Sequence, residues 1–361
     1  KKQIYRGPDQ QSFFVSDDNL TSIGNNRLSI IDKQNGNQPM FSNNKRFVTV
    51  FNGCIYNFKE LKKYLVSKKV SFTTNSDTEV VANSFEYFGM KTFNYFDGMW
   101  AIAIYDQEKK ETILSRDYVG QKPLYYSKTK EYYIFSSQLD GILLDKNISR
   151  ELSKENLKKY FAYSHVPSFG TIFKNVFQVH PGENITINAK TLEFNKKKYW
   201  DLKSGPDYNL FFNKLIKEEF NEKFNKIVKS HTTADKSPAL SLSSGIDSYI
   251  IMKNLLNFKQ SLSSFTLGFD NKTYDESRYV NKIDENIDKE IFYSSTDDLK
   301  KNFLKISKLI SDPIGDSSIL PTFILCQKIR SHSNVVIGGD GGDETFFGYI
   351  TFDAFFLAHF I

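Results

Sequence analysis

The stretch Pro238-Ala239-Leu240-Ser241-Leu242-Ser243-Ser244-Gly245-Ile246-Asp247-Ser248-Tyr249-Ile250-Ile251 constrains the fold more than any other. An apolar run breaks into a small-residue turn and restarts with helical character, which predicts a buried strand, a tight turn and a helix. Ser243, Ser244 and Gly245 let the backbone approach an anion closely. The helix that follows would aim its free N–H groups and positive dipole end at that anion. Asp247 is the odd member, because a carboxylate beside a phosphate is repelled unless a cation such as Mg²⁺ sits between them. A polyphosphate and its metal are therefore implied. Read by itself, the stretch also fits a strand, a serine-rich turn and a helix capped by Asp247 or Ser243.

Composition narrows the partners. The chain has 361 residues, 40% apolar and 25% charged, which is ordinary globular usage and enough for two domains. Its formal charge of +6 comes from lysines interspersed with acids, a solvated surface rather than a nucleic-acid interface. Cys54 and Cys326 are too few for a disulfide framework, and the five histidines show no metal-ligand spacing. No apolar run reaches the ~18 residues of a membrane span. The expectation is a cytoplasmic protein in a reducing compartment, with neither nucleic acid nor membrane as partner. The first residue is not Met, and the aromatic-rich helical pattern over 349–361 lacks a C-terminal cap, so the chain is expected to be cut at both ends.

Residues 1–140 read as short strands (47–51, 100–105, 112–115, 132–135) around helices over 58–65 and 78–88, the second opened by Ser76-Asp77-Thr78-Glu79. Several stretches here, in order, carry a resemblance to a known family. They are Arg6-Gly7-Pro8-Asp9 (HRGPD, with Tyr5 for His), Arg27-Leu28-Ser29-Ile30-Ile31-Asp32 (RLSIID) and Phe51-Asn52-Gly53-Cys54-Ile55-Tyr56-Asn57 (FNGEIYN, with Cys54 for Glu). Ser76-Asp77-Thr78-Glu79-Val80 (SDTEV), residues 97–106 (DGMFAFAIWD) and residues 116–126 (RDRFGIKPLYY) complete the set. This half resembles the class II glutamine amidotransferase domain that opens asparagine synthetases.

The second half extends the resemblance. Ser243-x-Gly245-x-Asp247-Ser248 is similar to the SGGxDS pyrophosphate loop of ATP pyrophosphatases, with Ser244 in place of the first glycine, and is not a Walker A motif. The strand 265–269, the Asp275-Glu276 pair, the block 312–322 and Val335-Val336-Ile337-Gly338-Gly339-Asp340-Gly341-Gly342-Asp343-Glu344 follow the synthetase signatures. A calcium loop is excluded at the last of these, since the D-x-D-x-D-G spacing is missing.

The resemblance implies an α+β N-terminal nucleophile (αββα) glutaminase domain over 1–204, including a connecting segment. An α/β ATP-pyrophosphatase domain over 205–361 would follow. It assigns a glutamine site to Arg27, Leu28, Ser29, Ile30, Ile31, Asn52, Gly53, Cys54 and Asp77. Within it Arg27 would face the carboxylate, Asp77 the ammonium, and Asn52 and Gly53 the tetrahedral oxyanion. ATP would lie against Leu242, Ser243, Gly245, Asp247, Ser248, Leu267, Gly338 and Gly339, with Mg²⁺ on Asp247 and Asp343 and Asp340 supporting acyl-adenylate formation. The nucleophilic cysteine of the family would lie upstream of this chain. The expected activity is ATP-dependent amidation of a carboxylate, aspartate first, with glutamine as nitrogen donor, in a homodimer. Two rivals share the scaffold, one amidating another acid such as a sugar acid and one closing a β-lactam ring with an inactive glutaminase. A non-catalytic ATP or glutamine sensor is the rival from another class. Cys54 removes a carboxylate from the glutamine site, so weak glutamine use is a further expectation.

Overall fold

The computed structural model describes residues 3–167, 170–202, 214–258, 261–273, 275–283 and 286–359. The chain divides into two compact units, Lys1–Asn209 with Ile310–Asp316, and Leu210–Leu309 with Ser317–Ile361. The expected boundary between 204 and 205 falls within 203–213, outside the described residues.

The first unit contains β1 (Gln10–Val15), β2 (Ser22–Arg27), β3 (Met40–Phe41), β4 (Phe47–Ile55), α1 (Phe58–Ser67), α2 (Asp77–Phe88), β5 (Gly98–Asp106) and β6 (Glu111–Arg116). It continues with β7 (Tyr125–Lys128), β8 (Tyr133–Ser136), α3 (Leu139–Leu143), α4 (Lys154–Tyr163), β9 (Val176–Gln178), β10 (Glu183–Asn188) and β11 (Phe194–Lys198). An antiparallel six-stranded sheet in the order β11-β10-β6-β5-β4-β3 faces a three-stranded sheet β8-β7-β9, and β1 and β2 form a separate hairpin.

The layering follows from β5, whose residues alternate between two apolar faces as the strand period of two requires. Trp100, Ile102 and Ile104 join Phe51, Val80, Val81 and Phe85 under α2, whereas Ala101, Ala103 and Tyr105 meet Leu124 and Tyr126 of the smaller sheet. Leu139 and Ile142 of α3 close the outer side of that sheet against Val176 and Ile134. Helix, sheet, sheet, helix is thus the order of layers, as the αββα expectation requires. Both faces of β5 are buried, which is why it reads as one continuous apolar run.

The second unit contains α5 (Lys214–His231), β12 (Ala239–Ser241), α6 (Ile246–Leu256), β13 (Ser263–Phe269), α7 (Ser277–Val280), β14 (Asp288–Ser294) and α8 (Thr296–Ile306). After these come α9 (Ile319–Ile329), β15 (Val336–Ile337), α10 (Gly342–Phe346) and α11 (Ile350–His359). Its four strands are parallel in the order β14-β13-β12-β15. α5 and α6 cover one face through Val228, Met252 and Leu255 on Leu240, and α9 covers the other through Ile329 on Ala239 and Phe265. The spacing of Ile216, Phe220, Phe224 and Ile227 predicts the core stripe of α5; the Ile216 side chain lies outside the described residues, Val228 is buried and Ile227 is exposed. Phe224 packs on the core, and Phe220 stacks on Phe224 at its edge. The stripe therefore turns by one residue.

Ile102 is fully buried between β4 and β6 under the helical layer. Ile102→Ala should destabilise the first unit by about 3 kcal/mol, the usual cost of a buried aliphatic cavity. Urea unfolding followed by tryptophan fluorescence checks this, and a loss below about 1 kcal/mol would mean that the layer repacks around the gap.

Candidate functional site

In the first unit, β2, β4, the start of α2 and the 122–124 segment enclose a cavity of about 380 Å³. Arg27, Leu28, Ile30, Ile31, Asn52, Gly53, Cys54 and Asp77 line it, so eight of the nine residues assigned to the glutamine site come together. Ser29 is not among the lining residues. It is buried, and its N–H donates to Asp9 Oδ2 at 2.7 Å, which fixes the bend that presents Leu28 and Ile30.

The ladder geometry sets the direction of the β4 N–H groups. Trp100 on β5 directs its N–H to Asp117 Oδ2 and accepts from the Asp117 N–H, so its backbone groups face away from Gly53, its partner across the β4–β5 pairing. Alternation then places the N–H groups of residues 51, 53 and 55 on the opposite edge of β4. Two of them have side-chain acceptors: Phe51 N–H donates to Gln38 Oε1 at 2.7 Å, and Ile55 N–H to Asp77 Oδ2 at 3.2 Å. Gly53 N–H lies between them. Asn52 Nδ2 is buried and lacks a hydrogen-bond partner among the described residues, an arrangement that costs stability unless a ligand oxygen fills it. A Cβ at Gly53 would sit 2.0 Å from Met99 O, so only glycine fits this register.

Charge is distributed around these donors. Arg27 is buried and gives Nη2 to the carbonyls of Ile31 and Asp32 at 2.9 and 2.8 Å, tying down the loop after β2. Gly36 makes room for it, since a Cβ there would lie 2.4 Å from Nη2. Burial raises the Asp77 carboxyl to about 6, against the N–H groups of Ile55 and Thr78 and the field of Arg27. Burial also raises the Cys54 thiol, helped by Asp77, so Cys54 is a neutral thiol and not a nucleophile. The motifs do not single out Gln38, yet it pairs with β4 through its side chain, donating Nε2 to Phe51 O at 3.1 Å. It also receives Asn25 Nδ2 at 3.0 Å.

In the second unit the strand order reverses between β12 and β15, and open parallel sheets take ligands beyond the carboxyl ends of the strands at such a point. Both predicted loops lie there. The N-cap of α6 is Gly245 with no side-chain cap, so neither Asp247 nor Ser243 caps the helix. The loop N–H groups instead hold side-chain oxygens. Ser243 N–H donates to Ser248 Oγ (3.2 Å), Gly245 N–H to Ser243 Oγ (3.2 Å) and Ser244 N–H to the Glu276 carboxylate (3.0 Å).

The glycine loop after β15 closes on the same place. A Cβ on Gly342 would meet the Asp247 carboxylate at 2.5 Å, and one on Gly339 would meet Asp247 and Ser248 at 2.9 and 3.0 Å. Gly341 sits at φ 93°, a left-handed conformation that favours glycine. Leu242 is buried, with its carbonyl taken by Thr266 Oγ1 at 2.6 Å, and Leu267 is half-buried on β13. The Asp340 carboxylate lies beside Gly338, and Asp343 turns back onto Gly348, where a Cβ would lie 1.9 Å from its Oδ1. Among the described residues no three carboxylate, His or Cys groups gather as a complete metal cage. Asp247 in its glycine cradle is the chemistry that suits Mg²⁺, which takes one or two carboxylates and completes its shell with phosphates and water.

Comparison with known proteins divides the chain in a similar way. Residues 1–200 match the glutamine amidotransferase domain and residues 219–359 match asparagine synthase. The class is that of ligases which join a glutaminase to an amide-forming unit. The chain belongs to the glutamine-hydrolysing asparagine synthetase family. It is 33% identical to a Methanocaldococcus jannaschii protein named as a second glutamine-hydrolysing asparagine synthetase, covering 96% of this chain and 71% of that one. To asparagine synthetase 1 of Bacillus subtilis it is 31% identical over 96% of this chain and 54% of that one, so it spans about half of that relative's length. Amidase chry2 of Gibberella zeae is 26% identical over 97% of this chain and 54% of its own. Among the described residues no helix is long and apolar enough to cross a membrane.

With its carboxyl raised to about 6, Asp77 takes up a proton as the pH falls through that value and loses its attraction for an ammonium group. Affinity for L-glutamine should be flat above pH 7 and fall below pH 6, approaching about tenfold per unit. Asp77→Asn should remove the pH dependence and weaken binding at pH 8. Calorimetric titration between pH 5 and 8 checks both, and an unchanged affinity at pH 5 would remove Asp77 from the ammonium position.

Proposed function

We propose that the protein is an ATP-dependent amide-forming ligase in which residues 1–204 hold the glutamine that supplies ammonia and residues 205–361 activate a carboxylate, aspartate first. The observation that carries this reading is the meeting of the 243–248 loop and the 338–342 loop at Asp247, at the switch point of a parallel sheet. An oxygen of the acceptor carboxylate attacks the α-phosphorus of ATP, the bond to the bridging oxygen breaks, and pyrophosphate leaves. Ammonia then attacks the acyl carbon of the adenylate, loses a proton, and AMP departs. Ser243, Gly245 and Ser248 seat the pyrophosphate, Leu242, Leu267, Gly338 and Gly339 frame the nucleotide, and Asp340 faces the reacting carboxyl group. Asp247 and Asp343 hold Mg²⁺, which offsets the repulsion between the nucleotide and the acceptor. In the first unit Arg27 and Asp77 hold the amino-acid end of glutamine, with Asn52 and Gly53 as oxyanion donors. The protein acts in this way as a cytoplasmic homodimer.

The test is ATP–pyrophosphate exchange, which should require both Mg²⁺ and the acceptor acid. Asp247→Asn should abolish exchange by weakening the metal site. Asp340→Asn should leave ATP affinity within about twofold and reduce exchange by a hundredfold or more, the pattern of an interaction made in the transition state. Exchange at the parent rate in Asp340→Asn would withdraw its role. Exchange with a sugar acid and none with aspartate would assign another acceptor.

Cys54 separates the two nitrogen sources. Added ammonia bypasses the first unit, so ammonia-dependent product formation should be robust and glutamine-dependent formation weak. Cys54→Glu should raise the glutamine-to-ammonia ratio by about ten- to a hundredfold, the worth of one charge-assisted hydrogen bond. An unchanged ratio would make the cysteine a neutral replacement.

A further inference from the structure

The cavity of the first unit carries an unbalanced charge that glutamine does not match. Among its described lining residues Arg6, Arg27 and Lys122 are cations and Asp77 is the one carboxylate. Arg27 and Asp77 lie within each other's field and offset one another. Arg6 has Ser137 O as acceptor at 3.2 Å. Lys122 Nζ makes neither a hydrogen bond nor an ion pair among the described residues.

Two neighbours lie within electrostatic reach of Lys122: the field of Asp117 favours its charge without forming an ion pair among the described residues, and Cys54 offers no carboxylate. The carboxylate of Asp117 is engaged by four backbone N–H groups, those of Trp100, Val119, Gln121 and Lys122 itself. Cys54 lies within electrostatic reach of Lys122 at the position where the FNGEIYN pattern has a glutamate, and it is a buried neutral thiol. The backbone of Lys122 is held in place, because its carbonyl accepts from Arg116 Nε at 2.9 Å. Burial first, and then the nearby Arg6, lower the Lys122 pKa, while the fields of Asp117 and Cys54 act the other way.

We propose that Lys122 makes this cavity select an acidic α-amino acid, an α-amino dicarboxylate of glutamate size, over the neutral amide. The side-chain carboxylate meets Lys122 and the Asn52 Nδ2 that has no partner among the described residues, whereas an amide leaves the lysine without a contacting anion. This rests on Arg27 and Asp77 as the holders of the α-carboxylate and α-ammonium. Cys54 and Lys122 then act together: the thiol withdraws the internal carboxylate, and the ligand supplies it. Lys122 is in this sense a specificity residue of the first unit, and the domain is held by the product of its own reaction.

The experiment is calorimetric titration of the protein at pH 8, without ATP or acceptor, using L-glutamate and L-glutamine as probes. Glutamate should bind at least about tenfold more tightly, the scale of one charge pair in a partly buried site. Lys122→Met should erase that preference while leaving glutamine affinity within about twofold, and Lys122→Arg should keep it. Cys54→Glu leaves the lysine in place and supplies its partner, so it should reverse the preference even if Lys122→Met fails to fold. Glutamine binding as tightly as glutamate in the parent would overturn the inference while leaving the amidotransferase reading intact. Binding of neither ligand, in the parent and in Cys54→Glu alike, would overturn both. A Lys122→Met loss equal for the two ligands would also overturn it, because a structural lysine would weaken both together.

Discussion

The pairing of β4 with β5 is the constraint on which the first unit depends. Nine residue pairs, from Phe47 opposite Asp106 to Ile55 opposite Gly98, set which groups face each layer and which edge of β4 is left open. A shift by one residue would exchange the two apolar faces of β5 and turn the Gly53 N–H away from the cavity. The register is locked from both sides. Met99 O leaves no space for a side chain at Gly53, and Asp117 draws the backbone of Trp100 toward β6. The donors of the cavity are thus products of sheet geometry. Their rigidity is that of a core with Trp100, Ile102 and Ile104 fully buried beside them.

The second unit solves a related problem with loops in place of a strand edge. Its sheet brings β12 and β15 side by side although almost a hundred residues separate them in sequence, and the glycines at 339 and 342 let the second loop settle on Asp247. Close backbone approach concentrates N–H dipoles in the loops, and those donors are satisfied only when oxygens arrive to accept from them. The structure supplies oxygens from Ser243, Ser248 and Glu276 at the first loop.

Local pattern made much of this legible. The apolar run at β5, the Ser76 cap of α2, whose hydroxyl accepts from Thr78 N–H, and the strand-turn-helix at 239–256 all depend on neighbours within a few residues. The cavity was legible for a different reason, since the matched motifs already carry its residues in order. What escaped depends on distant contacts. Gln38 imitates a strand partner for Phe51, the Ser29 N–H is held by Asp9, and Glu276 reaches back to Ser244, none of which periodicity encodes. The one-residue turn of the α5 stripe has the same origin, because the edge position of Phe220 is set by Phe224 and Phe346.

The contact between Glu276 and the Ser244 N–H has a consequence for selectivity. A carboxylate tethered beside the proposed anion-binding loop is an internal competitor, present at a local concentration that a dissolved monovalent anion at ordinary levels does not match. Small single-charged ions therefore gain little by entering, because each must displace an acid already held by the same N–H. A ligand with several phosphate oxygens loses one contact to this exchange and keeps the rest. On the proposed function the loop would act as a threshold filter, discounting every visitor by the same amount and retaining those with multiple points of attachment.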